Sequence, residues 1–337
     1  MTRNWKTRLA AGVMGMALLG TSAQAADKLL VYVSPDAIGV NAFLQMGKTG
    51  IEAAAAKYGA EAKTYESKTA AERVENVNAA VNEGADIVVM LGFEFNDIVK
   101  EVAAAAPDTQ FLIIDQCIDN QPVNVHCAVF REYEASYLMG VAAGMLTQSK
   151  KVGVVGALDI PFLHRYTDGY AQGVKAVNPD ATVDVRWVGG DNPFADPVRA
   201  KEQAIAIADA GADFIYTATA GGDFGVFEAA KEKNFKVFSV DVNHCPDVPG
   251  IIVDQSLKRV DNALVAAVGE ILEGKEKTFT ALGIKENGVS AIALDEATVK
   301  DSKCLIADHP EVAAKMREVA AQIADGSLKL EDPMFAK

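Results

Sequence analysis

The feature that most constrains this chain is an alternation of two kinds of segment. Short runs rich in Val, Ile and Phe recur between longer Ala-rich stretches whose apolar positions follow the helical period. Parallel strands covered on both faces read as near-continuous apolar runs, and each crossover between them needs a dozen or more residues, usually a helix. Strands are expected at Leu29 to Val33, Ile87 to Leu91, Gln110 to Ile114, Val152 to Val155, Val183 to Val188, Phe214 to Thr217, Lys236 to Val240 and Ile251 to Val253. Helices are expected at Ala42 to Lys57, Ala70 to Asn82, Glu132 to Leu146, Val198 to Ala210, Val226 to Lys233 and Arg259 to Glu273. The fold class is therefore α/β, with parallel sheets flanked by helices. Several strands end directly in small or polar residues: Ser34-Pro35-Asp36, Gly92-Phe93-Glu94, Asp115-Gln116, Ala218 to Gly222, and Asp241. In open α/β sheets the carboxyl ends of the strands face the ligand crevice, so these are the first places to look for a site. The polar sequence from Gln116 to Gln121 interrupts a first run of units, and a second starts at Glu132. Two such sheets facing each other across a hinge would gather the strand ends around one cleft.

The first 25 residues carry Arg3, Lys6 and Arg8, then the apolar run Leu9 to Leu19, then Ser22-Ala23-Gln24-Ala25. A basic start, a short apolar core and a small-x-small site, in that order, make a cleavable export signal. The apolar run falls short of the roughly 20 residues that a membrane span needs. No cysteine follows the cleavage site, so the expected product is soluble, periplasmic and not lipid-anchored. What remains is about twice the roughly 150 residues of a single domain, so two lobes are expected. The chain has 46 acidic against 32 basic residues, and three of the basic ones leave with the leader. That balance argues against nucleic acid or anionic lipid as a partner. A monomer is expected.

Four cysteines in an oxidising compartment suggest disulfides, with three ways to pair them. The favoured pairing is Cys117 with Cys127 and Cys245 with Cys304; the first closes a loop of about eleven residues, worth on the order of 2 to 3 kcal/mol. His126 adjoins Cys127 and His244 adjoins Cys245, which raises zinc as the alternative. Adjacent ligands rarely both reach one ion and no C-x-x-C or H-x-x-x-H spacing occurs, so no metal is expected. The sequence also lacks a G-x-S-x-G elbow, a phosphate-binding G-x-x-x-x-G-K-S/T loop and an H-E-x-x-H helix. No cofactor and no catalytic residue are expected. Carboxylate pairs such as Glu132 with Glu134 or Asp241 with Asp247 could do acid–base work, but they arise freely in so acidic a chain. Gly221-Gly222-Asp223-Phe224-Gly225 either admits a ligand close to the backbone at a helix start or forms an ordinary tight turn.

The segment Phe130-Arg131-Glu132-Tyr133-Glu134-Ala135-Ser136-Tyr137-Leu138-Met139-Gly140-Val141-Ala142-Ala143-Gly144-Met145 closely resembles the basic membrane protein family, the PnrA-like substrate-binding proteins of ABC transporters. The likeness continues through Lys151 to Gly156, Gly169-Tyr170-Ala171-Gln172-Gly173, Ala176 to Asp180, Ala195-Asp196-Pro197, Gly211-Ala212-Asp213, Ala220-Gly221-Gly222, Phe227 to Lys231, Val240-Asp241 and Ser256-Leu257-Lys258. It covers most of residues 80 to 270. The resemblance implies a two-lobed periplasmic-binding-protein fold similar to type I receptors, with residues 26–130 and about 257–290 in one lobe and 131–256 and about 291–337 in the other. It also implies a ligand between the lobes, delivered to an inner-membrane ABC permease. Several members of the family bind purine nucleosides.

A purine needs apolar plates, and stacking on an aromatic side chain contributes roughly 1 to 3 kcal/mol per base. Phe43, in the segment Asp36 to Phe43 that also holds the ligand-binding candidate Asn41, and Phe224 are the expected plates, and Phe93 is a further candidate; core packing is the competing role for all three. Asp241 matches the family's ribose-binding aspartate and Lys258 its cleft lysine. Asp36 and Asp115 end first-lobe strands, where they either contact base nitrogens or cap local structure. The sequence departs from the family around Asp36 to Leu44, after Asp241, and in the glycine-rich turn. The ligand is therefore a purine nucleoside, a free base or another heteroaromatic compound. A periplasmic nucleoside-processing enzyme or a ligand sensor on the same fold are the alternatives.

Overall fold

The computed structural model describes residue 1 and residues 28–275 and 279–335. The export signal lies outside the described residues. Among those described, no helix is long and apolar enough to cross a membrane.

In chain order the first elements are β1 (Leu29–Ser34), α1 (Ala42–Tyr58), β2 (Glu61–Glu66), α2 (Ala70–Asn82), β3 (Ile87–Leu91), α3 (Asn96–Ala105), β4 (Gln110–Ile114) and β5 (Val125–Phe130). Next come α4 (Glu132–Leu146), β6 (Lys151–Gly156), α5 (Pro161–Val177), β7 (Thr182–Trp187), α6 (Pro197–Asp209), β8 (Phe214–Ala218), α7 (Asp223–Lys233), β9 (Lys236–Asp241) and β10 (Ile252–Lys258). The remainder is α8 (Val260–Leu272), β11 (Phe279–Leu282), β12 (Val289–Ala291), α9 (Glu296–Ser302) and α10 (Pro310–Asp325).

The strands form two six-stranded sheets, ordered β11-β5-β4-β3-β1-β2 and β12-β10-β9-β8-β6-β7. Every pairing is parallel except that of β12 with β10. Strands β1 and β3, at the middle of the first sheet, are apolar and almost wholly buried because helices cover both faces. Edge strands β2 and β7 are polar and half-buried, and for β2 (EAKTYE) that composition hid the strand from the apolar-run criterion. Strand β5 was also not expected: its buried run is broken by His126, whose Nε2 lies 3.0 Å from Gln110 Oε1. Helices α3, α5, α9 and α10 lie outside the expected set as well.

The two sheets belong to two lobes, and the described chain passes between them at residues 130–132, at 258–260 and between β11 and β12. Helix α8 returns to the first lobe, where Tyr58 on α1 donates from its hydroxyl to the Val265 carbonyl at 3.3 Å. In the second lobe α4 and α5 cross at backbone contact. A Cβ added at Gly140 would lie 2.0 Å from the Tyr170 carbonyl oxygen, and one at Gly173 2.0 Å from that of Tyr137. Gly140 and Gly173, in the segments that carry the family likeness, are thus required by helix packing. Both expected disulfides are formed, Cys117–Cys127 beside β4 and β5 and Cys245–Cys304 between the loop after β9 and the end of α9.

Candidate functional site

Strand order reverses between β1 and β3 in one sheet and between β6 and β8 in the other. A crevice opens at the carboxyl ends of the strands at such a switch point. Here the two crevices face each other across a partly open cleft between the lobes. The first lobe contributes the segments after β1, β3 and β4. The second contributes the start of α5, the loop before α6, and the ends of β8, β9 and β10.

Five aromatic rings line this cleft: Phe43 and Phe93 from the first lobe, and Phe162, Tyr166 and Phe194 from the second. Phe93 and Phe194 meet across it, with ring centroids 6.3 Å apart at 50°. Four carboxylates, Asp36, Glu94, Asp115 and Asp241, share the lining with one basic residue, Lys258. The Lys258 ammonium sits 2.5 Å from Asp115 Oδ2 and 3.0 Å from Glu132 Oε1, in a cluster whose three side chains are each at most 6% exposed. It also lies 5.1 Å from the Phe43 ring centroid and 5.4 Å from that of Phe162, close enough for cation–π attraction. Burial opposes the charge on Lys258, but the carboxylates of Asp115, Glu132 and Asp241 outweigh it and hold the amine above the usual lysine range.

The network extends past the cleft. Arg165 on α5 donates to Glu132 Oε2 at 3.3 Å and to the Phe130 carbonyl at 3.1 Å, and grips the Asp332 carboxylate at 2.6 to 3.1 Å. One of the crossings between lobes, residues 130–132, is thereby tied to the charge cluster. Each lobe also contributes one aspartate from the end of its β4 or β9 strand: Asp115 with φ 75° and Asp241 with φ 70°. A side chain other than glycine in this left-handed region is uncommon, although aspartate tolerates it better than most, and such outliers concentrate at binding sites. Burial pushes the Asp241 carboxyl up to about 7, with Lys258 pulling the other way. Burial raises Asp115 to about 6 against the same lysine. Asp115 Oδ1 is buried and receives no hydrogen bond among the described residues.

The expected site residues are distributed as follows. Asp36, Asn41, Phe43, Phe93, Asp115, Asp241 and Lys258 all line the cleft. Asp36 is in part held locally, 3.5 Å from Arg73. Asn41 doubles as the N-cap of α1, accepting from the Leu44 amide at 3.3 Å. Phe224 is not brought there. Its ring packs edge-on against Phe227 and His244 within its own lobe. The glycine-rich turn is a packing device: a Cβ at Gly225 would lie 1.8 Å from the Pro197 carbonyl oxygen. Asp223 beneath it is buried and accepts from Thr217, Thr219 and Ser239. Phe162, Tyr166 and Phe194 line the cleft without having been anticipated, and Glu94, from the expected strand end Gly92-Phe93-Glu94, lines it as well. A signal for Phe194 was present, since Asp196 and Pro197 mark a helix start and Asp196 caps α6 by accepting from the Arg199 amide.

With this geometry in view, the chain can be compared with known proteins. The model of the family described as ABC transporter substrate-binding protein, PnrA-like, matches residues 28–319. The Listeria monocytogenes CD4+ T-cell-stimulating antigen is 30% identical over 289 residues, covering 79% of this chain and 76% of that one. The Lactococcus lactis ABC transporter nucleoside-binding protein BmpA is 29% identical over 310 residues, covering 84% and 87%. Among solved structures, an ABC transporter solute-binding protein from Aeropyrum pernix K1 superposes with a TM-score of 0.77 at 23% identity, covering 91% of this chain and 94% of that one. That likeness establishes the periplasmic-binding-protein fold, and the family is one of binding proteins and not of enzymes. The chain belongs to the PnrA-like, basic membrane protein family of ABC transporter substrate-binding proteins.

Proposed function

We propose that the protein is a periplasmic receptor that closes over a purine nucleoside or purine base and delivers it to an inner-membrane ABC permease. The observation that carries this reading is the make-up of the cleft: aromatic rings from both lobes, hydrogen-bond-accepting carboxylates on both sides, and one ammonium paired with Asp115. A flat heteroaromatic ring suits plates such as Phe43 and Phe194, and stacking contributes roughly 1 to 3 kcal/mol per base. The hydroxyls of a ribose suit Asp241 and Lys258. Sugar receptors also use aromatic plates, but a cleft with this many carboxylates favours a ligand that presents ring N–H donors as well as hydroxyls. The name of the Lactococcus relative, a nucleoside-binding protein, supports the same class.

In this reading residues 26–130 with about 257–290, and 131–256 with about 291–337, move as two bodies about the segments that cross between them. A ligand touching both bodies binds the closed form better and shifts the equilibrium toward it, which lets a permease distinguish loaded from empty receptor. Export by cleavage of the leader would leave a mobile, monomeric carrier. Mass spectrometry of the small molecule released when the purified protein is denatured tests the ligand class. A purine is expected; a sugar or an amino acid in its place would sink the reading.

A further inference from the structure

Glu94 stands apart from the other cleft carboxylates. It follows Phe93 in the short turn Phe93–Phe95, whose last ring is wholly buried and anchors the turn. The turn leaves β3 through Gly92 at φ 97°, and a Cβ there would lie 2.4 Å from Glu94 Oε2. The Glu94 carboxylate thus folds back over Gly92. Among the described residues no other residue donates a hydrogen bond to Glu94; its own backbone amide is the donor that steadies it. Asp115 has Lys258 at 2.5 Å and Asp241 lies in the field of the same lysine. The cation nearest in effect to Glu94 is Arg73, which is already engaged with Asp36 and with the Pro35 carbonyl. A ring stacked on the Phe93–Phe194 pair would turn an edge toward the neighbouring Glu94.

We propose that Glu94 is the specificity residue of the cleft, accepting from two adjacent N–H donors and so selecting 2-amino-6-oxopurines over purines that lack the 2-amino group. The inference rests on the purine reading above. An ionised carboxylate is an acceptor at both oxygens, and the 1-NH and 2-amino groups of a guanine-type ring present two parallel donors on one edge. A 6-oxopurine without the amino group offers one donor, and a 6-aminopurine opposes a ring acceptor to one oxygen. A charged acceptor covered by the ligand and left unmatched discriminates far more strongly than a missing apolar contact. The groups facing Glu94 are Tyr32 on β1, Asp36 after β1, Arg73 on α2 and Asp115 after β4. Burial, opposed by Arg73 and reinforced by Asp36 and Asp115, pushes Glu94 up to about 7. The selection is therefore strongest above neutral pH and relaxes below it, where the neutral acid donates at one oxygen.

The test is a calorimetric comparison of guanosine with inosine, which differ only in the 2-amino group, or of guanine with hypoxanthine if the cleft takes the free bases. Wild-type protein and Glu94→Gln are each titrated at pH 6 and pH 8. The ratio of the two affinities cancels contributions from Asp115 and Asp241 that act on both ligands alike. The wild type is expected to favour the 2-amino ligand by about tenfold or more at pH 8 and by less at pH 6. Glu94→Gln, with an unchanged unfolding midpoint, is expected to bind both ligands with a ratio near one at either pH. Purine binding with no preference in the wild type, or a preference that survives in Glu94→Gln, overturns the assignment of Glu94 and leaves the purine reading standing. No binding of any purine overturns both.

Discussion

The two lobes share one strand order and each ends its β4 or β9 strand in a left-handed aspartate, yet they line the cleft with different chemistry. The first lobe brings three carboxylates, Asp36, Glu94 and Asp115, beside Phe43 and Phe93. The second brings Phe162, Tyr166, Phe194, Ala218 and Ala220, with Asp241 as its acid, and Lys258 ends its β10 strand. The corresponding aspartates differ most. Asp115 forms a close ion pair with Lys258, whereas Asp241 feels that lysine only at longer range. A repeated scaffold has thus been given an acidic face and an aromatic face, which suits a ligand with a donor-rich edge and an apolar plane.

The largest effect that would test this asymmetry is the loss of the shared cation. Lys258→Met leaves Asp115 buried without its counter-charge and Glu132 with Arg165 alone, so denaturant unfolding at pH 8 should show a loss of about 3 to 5 kcal/mol. Asp241→Asn should cost much less, and equal losses would mean that the two aspartates are equivalent. The disulfides offer a second contrast between lobes. They close loops with separations of 59 and 10 residues. Replacing Cys245 and Cys304 by Ser should cost about 4 kcal/mol and replacing Cys117 and Cys127 about 3 kcal/mol, measured against the oxidised parent. On the ligand side, Phe194→Ala should weaken binding by about 1 to 3 kcal/mol. Phe224→Leu should alter unfolding but leave affinity within about twofold, because its ring belongs to the second-lobe core.

The pH dependence of the ligand-free protein is a test of direction. Burial raises Asp241 and Asp254 to about 7 from an ordinary value of 3.8. Between those limits the folded chain keeps protons that the unfolded chain has released, so stability is greatest at the acid end and falls as pH rises toward 7. Unfolding midpoints measured from pH 5 to 8 should decline in the wild type and decline less steeply in Asp241→Asn. A midpoint that rises with pH would show that these carboxyls are not held up.

Where the sequence was legible, one local pattern coincided with one physical demand. Strands such as Ile87–Leu91 and Gln110–Ile114 are apolar because both faces are covered, and their ends were readable as cleft positions because sheet geometry puts them there. Residues missed fall into two kinds. Strand β2 is a polar edge, and β5 is buried but broken by a histidine and a cysteine, so neither carries the apolar run. Phe162, Tyr166 and Phe194 reach the cleft from helix starts and a loop on the second lobe, and their placement depends on how the lobes face each other. Phe224 illustrates the converse. A phenylalanine beside a glycine-rich turn suggested a ligand plate, but Gly225 serves contact with the Pro197 backbone and the ring turns inward. Glu132 appeared only as one of many acidic pairs, because its partners Lys258 and Arg165 are distant in sequence.

On the proposed reading a purine-type ligand is held between an acidic and an aromatic face. Isothermal titration of ligand-stripped wild-type protein with purine nucleosides, free purine bases, glucose and arabinose tests that claim most directly. One purine should bind with one-to-one stoichiometry, and the sugars should give no heat of binding. Saturable binding of a sugar with none of any purine would contradict it.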